Sequence, residues 1–311
     1  MAFSYFIIIN KFAGSGNAAK IWPHIESTLL EKNVAYKMVT SDYAGHVTEI
    51  AKERANQHRN DEIIIVIGGD GTLHEAINGL KQSSFEVPIA YIPAGSGNDF
   101  ARGLGMSKDP QTALSQILAA TKPKIIDVGR YVAQDSPTPH YFVNNVGIGF
   151  DAAIVAYTNH SPMKSKLNRL HLGSLSYLTS IFHVMSNQPG FKIDVVNGQQ
   201  VAHMDNAFLV TLSNHPYFGG GVKILPTAKI DSGELELILI EKMTWLQFIH
   251  MYSLMLRGKH YSMPIVQHIV GKNIQLQIHS AEQGQVDGEE LGKHAFNFDF
   301  DVIKYPFMIK L

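Results

Sequence analysis

Apolar runs and amphipathic stretches alternate along the first third of the chain. The run Ile63–Ile67 is apolar at every position, which is typical of a strand buried on both faces of a parallel sheet. The same patterns predict strands and helices in alternation: Tyr5–Ile9, Ala18–Glu31, Val34–Thr40, His46–His58, Thr72–Leu80 and Pro88–Ile92. Pro23 would have to lie near the first turn of its helix. The alternation indicates right-handed βαβ units in a doubly wound sheet.

After about residue 126 the pattern changes to short strands with few helices. Residues Phe296–Phe300 alternate apolar and polar side chains, which favours half-buried antiparallel strands. Strands are predicted at Tyr141–Val146, Phe191–Val196, Asn206–Leu212, Glu234–Ile240, Ile274–His279 and Ala295–Phe300. One helix, at about Lys166–Met185, interrupts them. We therefore predict an α/β domain over residues 1–126 and a β-rich sandwich or open barrel over residues 127–301.

Composition excludes several classes of protein. With 45% hydrophobic residues among 311, the chain can form substantial cores, so a disordered protein is excluded. The net charge of -1 gives no general attraction to nucleic acid, and no nucleic-acid partner is expected. The absence of cysteine excludes disulfides, cysteine-based metal sites and cysteine nucleophiles. The 15 histidines form no His-Glu-x-x-His motif.

Neither a signal peptide nor a transmembrane helix is expected. The first residues lack a positively charged region and a cleavage site, and they read as a strand. The most apolar long stretch, Leu235–Leu256, is interrupted by Glu241, Lys242 and His250. We expect a soluble, cytoplasmic protein.

Glycine-rich loops follow three of the predicted strands and are the first candidates for chemistry. Gly68–Thr72 (Gly-Gly-Asp-Gly-Thr) separates the buried strand from a helix, where backbone N–H groups can approach phosphate oxygens closely. Thr72 would cap that helix with Glu75 at capping-box spacing. A simple tight turn is the alternative interpretation. Pro93–Arg102 and Asn10–Gly16 follow neighbouring strands, so a shared polyphosphate site is favoured.

Two other phosphate-binding patterns fit poorly. The first loop matches Gly-x-Gly-x-x-Ala of dinucleotide-binding folds, but Asp42 lies too far along to hold a ribose. No Gly-x-x-x-x-Gly-Lys-Ser/Thr motif exists. Near the far end, Asp287-Gly288-Glu289 is either a hairpin turn or a rigid support for Glu289 as a general base.

Five segments together resemble the diacylglycerol kinase catalytic family of lipid kinases, which includes sphingosine kinases. They span nearly the whole chain: Asn10–Gly16, Gly68–Thr72, Pro93–Arg102, Asn144–Asp151 and Asp287–Glu289. The Gly-Gly-Asp-Gly-Thr element is shared with NAD kinases and, more loosely, phosphofructokinases. The Ser-Gly-Asn-Asp-Phe-Ala-Arg segment is more specific to the lipid kinases.

The resemblance implies an α/β plus all-β architecture. The N-terminal domain would be phosphofructokinase-like, the C-terminal domain a β-rich sandwich, and the nucleotide site would lie in the cleft between them. Residues 302–311 would return to the first domain. The resemblance also implies ATP and Mg²⁺ as cofactors.

Site residues carried over from the family fall into three groups. The nucleotide would be held by Asn10, Lys11, Phe12, Ala13, Gly14, Thr40, Gly68, Gly69, Asp70, Gly71, Thr72, Leu73, His74 and Ser96. Glu289 would deprotonate the lipid hydroxyl, with Asp70 as the second choice of base. Asp70 and Asp99 would support Mg²⁺ and phosphate.

Two positions depart from the family pattern. Lys11 stands where the family usually has proline. Ser232 stands where bacterial members have an aspartate that binds a structural Mg²⁺ in the second domain. Asp231 is the substitute ligand that the sequence offers, although the strand pleat would point it elsewhere. The structural Mg²⁺ is therefore in question.

An acid-free basic segment suggests contact with a membrane. Between Asp151 and Asp194 there is no acidic residue, and the segment contains Lys164, Lys166 and Arg169. Apolar residues share one predicted helix face: Leu175, Leu178, Phe182 and Met185. This patch either docks on anionic lipid or packs on the second domain.

The sequence thus predicts an ATP-dependent lipid kinase that phosphorylates diacylglycerol to phosphatidate at the membrane surface. A role in phospholipid metabolism and peripheral membrane association follow from that prediction. An NAD kinase-like enzyme and a non-catalytic nucleotide- or lipid-binding regulator are the alternatives. The acceptor lipid and the oligomeric state, including a homodimer, stay open.

Overall fold

The computed structural model describes residues 3–57, 61–160 and 173–311. The first part alternates strands and helices: β1 (Ser4–Ile9), α1 (Ala13–Glu31), β2 (Tyr36–Thr40), α2 (His46–Asn56), β3 (Glu62–Gly68), α3 (Asp70–Lys81), β4 (Ile89–Pro93), α4 (Asp99–Leu104) and α5 (Pro110–Leu118). The strands pair in parallel in the order β2-β1-β3-β4. The predicted doubly wound sheet is confirmed.

Every residue of β3 is buried because helices cover both faces of the sheet. Ile64 and Val66 face a core formed with α2, α3 and α4. Ile63, Ile65 and Ile67 face a second core formed with α1 and α5. An apolar run without alternation is what a strand needs when both of its faces are covered.

The second part is rich in antiparallel strands. Its elements are β5 (Lys124–Ala133), β6 (Ser136–Phe142), β7 (Asn145–Gly149), α6 (Phe150–His160), α7 (Gly173–Asn187), β8 (Phe191–Asn197), β9 (Gln200–Ser213), β10 (Tyr217–Phe218), β11 (Val222–Lys223), β12 (Leu235–Glu241), α8 (Trp245–Met255), a 3₁₀ helix (His260–Ser262), β13 (Val266–Gly271), β14 (Asn273–Ile278), β15 (Glu282–Val286), β16 (Glu289–His294) and β17 (Asn297–Phe307). Its strands run in the order β16-β15-β7-β9-β8-β14-β17, and β12 joins β9 to β13. Inward side chains from these strands form a single apolar core.

Strand β17 physically links the two parts. It pairs antiparallel with β5 along its whole length, from Phe298 to Phe307. At its end Phe307 lies beside Ile89 of β4 in parallel register. Fifteen of the described strands therefore belong to one continuous mixed sheet.

A layer of three helices covers the outer face of β9 and β12. Side chains from α6, α7 and α8 pack on Phe208, Ile238 and Ile240, forming a fourth apolar cluster. Met185 of α7 is buried in this cluster, whereas Phe182, three residues earlier, is 64% exposed. The sequence pattern placed these two side chains on one face of the helix. In the structure they lie in different environments. Lys164, Lys166 and Arg169 lie outside the described residues, and the side chains of Leu175 and Leu178 are not described.

Three sequence-based expectations about elements were wrong. Pro23 lies inside α1 beyond its first turn, even though Gly14–Gly16 are left-handed and the regular helix begins only at Asn17. The single predicted strand Tyr141–Val146 spans the end of β6 and the start of β7. Helices α6 and α8 were not expected at all.

The apolar stretch Leu235–Leu256 contains a strand followed by a helix. Thr244 separates them: its hydroxyl accepts a hydrogen bond from Gln247 N, and the Gln247 side chain bonds back to Thr244 N. This capping box starts a new helix a few residues after the charged pair Glu241-Lys242 that ends the strand. None of the helices in the described ranges combines the length and hydropathy needed to cross a membrane.

Candidate functional site

The three glycine-rich loops dock against one another at the carboxyl ends of β1, β3 and β4. Gly14, Ser15 and Gly16 have φ values of 60°, 56° and 88°, a left-handed turn before the regular part of α1. A Cβ on Gly14 would collide with the carbonyl oxygen of Ala94, so the first loop can approach the third only with glycine at this position. Asn10 Nδ2 donates to Thr72 Oγ1 at 3.2 Å, which ties the first loop to the second.

Helix α3 begins at Asp70, with Gly69 in extended conformation before it. The expectation that Thr72 caps this helix was wrong, because Thr72 lies within its first turn. A Cβ on Gly95 would lie 2.6 Å from Gly69 Cα, so the second and third loops also touch through glycine backbone. The first-turn N–H groups of α3 have no partner within the helix and lie at the loop junction. The junction therefore presents backbone donors and the positive end of a helix dipole.

Asp70 orients the third loop. Its Oδ2 accepts from Asp99 N at 3.1 Å and its Oδ1 from Phe100 N at 3.2 Å, which caps α4 from another helix. Asn98 supports the same turn by accepting from Gly95 N at 3.0 Å. Burial raises the pKa of Asp70; the two N–H bonds oppose this shift, and the negative charges of Asp99 and Asp287 add to it.

Asp99 lies next to Asp70 and connects the third loop to the second part of the chain. It forms an ion pair with Arg102, and its Oδ2 accepts from Gly220 N at 2.7 Å. A Cβ on Gly97 would lie 3.3 Å from Asp70 Oδ2 and 4.0 Å from Asp99 Oδ2. The missing side chain of Gly97 thus leaves room beside two carboxylates.

Asp287 holds the turn between β15 and β16 against the first part of the chain. Its buried carboxylate accepts N–H groups from Val143, Asn144 and Asn145 at 2.8 to 3.0 Å. It also bonds His74 Nδ1 of α3 at 2.8 Å. Burial alone would lower the pKa of His74, but the hydrogen bond and charge of Asp287, together with the charges of Glu289 and Glu75, raise it. The sequence analysis singled out this motif because of Glu289. It did not predict that Asp287 holds the turn in place.

Asp151 is a buried carboxylate at the start of α6. Its Oδ2 accepts from Gln285 Nε2 at 3.1 Å, whereas its buried Oδ1 has no hydrogen-bond partner among the described residues. Burial raises the pKa of Asp151 to about 6. A desolvated carboxylate oxygen without a donor is costly, which is typical of a binding site awaiting a polar ligand. Asp151 lay within a recognised motif, but the sequence assigned it no role.

Two cavities meet where these loops converge. The first, called here the glycine-loop cavity, has a volume of about 410 Å³. It is lined by Asn10, Phe12, Ala13, Gly14, Ser41, Tyr43, Ala44, Gly69, Gly71, Thr72, Glu75, Gly95, Ser96 and Glu289. Phe12 and Tyr43 are 72% and 56% exposed at this cavity. It therefore combines backbone donors with accessible aromatic faces.

The second, called here the carboxylate cavity, has a volume of about 420 Å³. It is lined by Asp70, Ser96, Gly97, Asp99, Asn144, Asn145, Asp151, Val155, Phe218, Gly219, Gly220, Gln285, Asp287 and Gly288. Ser96 lines both cavities, and Asp70 lies between two glycines that line the first. The Oε1 atom of Glu289 would be 3.3 Å from a Cβ on Gly71. The carboxylates of Asp70 and Glu289 thus lie at the junction of the cavities.

Most of the sequence-predicted residues meet at this junction, and five lie slightly apart. His74 lines neither cavity and bonds Asp287 instead. Lys11 is exposed on the turn after β1. Thr40 ends β2 one residue before Ser41, which lines the cavity instead. Gly68 is buried at the end of β3, and the Leu73 side chain belongs to the core beneath α3. None of these five residues lines either cavity.

Asp70 and Asp99 suit a Mg²⁺ ion that also binds phosphate. Hard oxygen donors from one or two carboxylates, completed by phosphate oxygens and water, are the usual protein ligands of Mg²⁺. The space beside Gly97 lies against both carboxylates. Among the described residues no group of three or more acidic or histidine side chains is arranged around a metal. The residues present therefore fit a Mg²⁺ ion that arrives with a nucleotide.

The loop around Asp231 does not fit a second Mg²⁺ ion. Asp231 is exposed and pairs with Lys124 Nζ at 3.6 Å. The nearby buried carboxylate of Asp127 pairs with Lys304 Nζ at 2.5 Å and accepts from Gly233 N at 2.5 Å. Both carboxylates are thus neutralised by ammonium groups of the chain itself. Asp231 as a metal ligand stays a prediction from the sequence.

Comparisons with known proteins agree with this geometry. Residues 4–131 match the diacylglycerol kinase catalytic domain, and residues 144–303 match the YegS C-terminal NAD kinase beta sandwich-like domain. The protein YtlR of Bacillus subtilis (strain 168) is 30% identical over 94% of this chain and 95% of its own. A diacylglycerol kinase of Staphylococcus aureus (strain JH9) is 31% identical over 83% of this chain and 78% of its own. A crystal structure of a diacylglycerol kinase from Bacillus anthracis str. Sterne has the same fold, with a TM-score of 0.71, 21% identity and coverage of 99% of this chain and 97% of that one.

Proposed function

The chain belongs to the diacylglycerol kinase catalytic domain family, and we propose that it is an ATP-dependent lipid kinase whose acceptor is the free hydroxyl of diacylglycerol. The product would be phosphatidate. One observation carries the proposal: a cavity large enough for a nucleotide adjoins a second cavity, and Asp70, Ser96 and Glu289 lie where the two meet. Phosphoryl transfer needs a donor and an acceptor held in line on either side of the transferred group.

The glycine-loop cavity supports ATP as the donor. Free N–H groups at the start of α3 would bind phosphate oxygens, and the adjacent glycines allow the phosphates to approach the backbone. The exposed rings of Phe12 and Tyr43 offer faces on which an adenine can stack. When bound, Mg²⁺ would neutralise phosphate charge beside Asp70 and Asp99.

Glu289 is our first choice of general base. Both oxygens of Asp70 already accept backbone N–H groups, and Asp99 is paired with Arg102. Within the described part of the chain, no hydrogen bond or ion pair engages the Glu289 carboxylate. An unengaged carboxylate can accept the proton of the acceptor hydroxyl while the phosphoryl group is transferred. Asp70 is the second choice, because its raised pKa also suits a proton acceptor.

The space beside Gly97 provides a test of the Mg²⁺ assignment. Alanine is compatible with the Gly97 backbone, but its methyl group would lie 3.3 Å from Asp70 Oδ2. We expect Gly97→Ala to fold normally and to lower Mg²⁺-dependent turnover by about 10- to 100-fold. The measurement is the dependence of turnover on Mg²⁺ concentration. Gly105→Asn, at a distant left-handed position with open space, is the control. Unchanged Mg²⁺ dependence in Gly97→Ala would contradict the assignment.

Asp151 should make stability depend on pH in a defined direction. Its folded pKa of about 6 lies above the ordinary value of 3.8, so ionisation costs more in the folded state. Wild-type stability is therefore expected to fall as pH rises from about 4 to 7. Asp151→Asn cannot ionise and should gain on the order of 2 kcal/mol relative to wild type over that range. Urea unfolding of both proteins at several pH values measures this gain, and a constant difference between them would contradict it.

We also propose the division of labour between domains that the sequence suggested. Residues 1–126, with residues 302–311 returning to them along β17, would bind the nucleotide. Residues 127–301 would bind the lipid. Support comes from Asp151, Val155 and Phe218, which all line the acceptor side.

Two other functions are separable by experiment. An NAD kinase-like enzyme is disfavoured by the Pro93–Arg102 segment, and a non-catalytic regulator by the intact Asp70, Asp99 and Glu289. Transfer of ³²P from ATP to a panel of lipids and to NAD discriminates among the three. Labelled lipid supports the proposal, whereas labelled NADP supports the kinase alternative. Nucleotide binding without any transfer supports the regulator.

A further inference from the structure

Helix α8 exposes large apolar side chains to solvent, which is unusual for a helix on a protein surface. No residue from Trp245 to Met255 is charged. Its inner side chains, such as Met251 and Met255, are buried in the core beneath the helix layer. Its outer side carries the polar Gln247 and His250, but the large side chains there are apolar. Leu246, Ile249 and Leu256, the last just beyond the end of the helix, are 81%, 62% and 69% exposed. A surface helix normally carries polar or charged residues on this side.

Neighbouring aromatic rings extend this face. Trp245 and Tyr252 are partly exposed on the same helix, and Phe182 of α7 stacks on Trp245 with ring centroids 5.1 Å apart. The docking face is defined here as Phe182, Trp245, Leu246, Ile249, Tyr252 and Leu256. Contiguous exposed apolar side chains of this number mark an interaction surface. Tryptophan and tyrosine are suited to the boundary between water and hydrocarbon.

The charges around the docking face are positive. There is no aspartate or glutamate between Glu241 and Glu282. Arg257 and Lys259 are exposed directly after α8. Lys242 donates instead to the carbonyl oxygens of Met185 and Gln188, so it stabilises the helix layer. An apolar surface flanked by cations and free of acids complements an anionic bilayer.

The helix layer that carries the docking face also contributes residues to the carboxylate cavity. Helix α6 contributes Asp151 and Val155 to that cavity, and its Phe150 packs against Phe248 of α8 with ring centroids 5.9 Å apart. Phe218 lines the cavity and also packs on the core beneath α8. One helical layer therefore carries both the candidate acceptor site and the exposed apolar face.

We propose that the docking face binds the surface of a bilayer containing anionic phospholipid, with α8 lying in the interfacial region. The apolar side chains enter the boundary of the acyl chains, and Arg257 and Lys259 contact the headgroups. This membrane contact rests on the proposed function for its role. It names the surface from which a lipid acceptor would reach the carboxylate cavity.

Co-sedimentation with vesicles tests the proposal. The full chain is mixed with sucrose-loaded vesicles of phosphatidylcholine alone, or of equal parts phosphatidylcholine and phosphatidylglycerol. We expect binding to the anionic vesicles and about tenfold weaker partitioning of Ile249→Glu. Leu30→Glu on α1 is the matched control, because Leu30 is also 62% exposed but lies on the other domain. The control should bind like wild type, and circular dichroism should show both variants folded.

Three results would overturn the proposal. Wild-type protein could stay in solution with anionic vesicles, or Ile249→Glu could bind them as well as wild type. Alternatively, sedimentation velocity could show a wild-type dimer that Ile249→Glu dissociates, without vesicle binding by either. Failure of the proposed function would give a result distinct from these three. No lipid would then be phosphorylated, not even a short-chain diacylglycerol dispersed in detergent. If docking is correct, Ile249→Glu retains transfer to that dispersed acceptor and loses it on vesicles.

Discussion

Replacing Glu289 with glutamine is expected to lower turnover by about 10²- to 10⁴-fold, the usual contribution of a general base. Glutamine keeps the size and polarity of the side chain but cannot accept the hydroxyl proton. Because Glu289 only borders the glycine-loop cavity, the dissociation constant for ATP should change little. Steady-state kinetics with a dispersed lipid acceptor and calorimetric titration with ATP measure the two quantities.

Glu290 provides the control for this variant. It follows Glu289 on β16, but its carboxylate bonds Asn159 Nδ2 at 2.8 Å and His160 Nε2 at 3.1 Å, away from both cavities. Glu290→Gln should therefore leave turnover within about twofold, as a surface substitution does. If Glu289→Gln keeps wild-type turnover and Asp70→Asn loses it, the base is Asp70.

Asp287→Asn is expected to lower both stability and turnover. The amide nitrogen of asparagine cannot accept the N–H groups that one carboxylate oxygen now receives. Either Val143 N and His74 Nδ1, or the N–H groups of Asn144 and Asn145, therefore lose their acceptor. Loss of a buried charged hydrogen-bond partner costs about 2–4 kcal/mol. Turnover should fall as well, because Glu289 follows the same turn. Urea unfolding and initial rates measure these effects.

A more exposed carboxylate serves as the comparison. Asp301 pairs with Arg130 on the surface of β17. Asp301→Asn should cost about 1 kcal/mol or less, because solvent screens that pair. Equal losses from the two substitutions would show that Asp287 does not organise the turn. In the wild type, protonated His74 paired with Asp287 stabilises the fold at low pH, and this stabilisation disappears as pH rises through the raised pKa of His74. The Asp287 variant should lack this pH-dependent stabilisation.

The parallel sheet and its loops were predictable from local sequence. An apolar run such as Ile63–Ile67 followed by Gly-Gly-Asp-Gly leaves few structures other than a buried strand, a phosphate-sized loop and a helix. The carboxyl ends of parallel strands share one edge, so the three loops had to converge. This topological argument brought together residues that are far apart in the chain, such as Gly14 and Ser96.

The roles of Asp287 and Asp151 could not be predicted in the same way. Asp287 acts on N–H groups about 140 residues earlier in the chain, and its partners are set by the packing of β15 on β7. The unpartnered oxygen of Asp151 results from burial, which no local pattern reveals. Helix α8 was missed for a different reason. Its apolar residues follow those of β12 after only a short polar interruption, and the Thr244 capping box that starts the helix was not recognised in the sequence.

The most direct test of the central claim is the identity of the product formed from ATP and a short-chain diacylglycerol. The two-cavity arrangement predicts that phosphatidate and ADP appear in equal amounts by mass spectrometry, and that Glu289→Gln forms neither at a comparable rate. ADP released without phosphatidate, or NADP formed when NAD is supplied in its place, would contradict the assignment of the carboxylate cavity to a lipid.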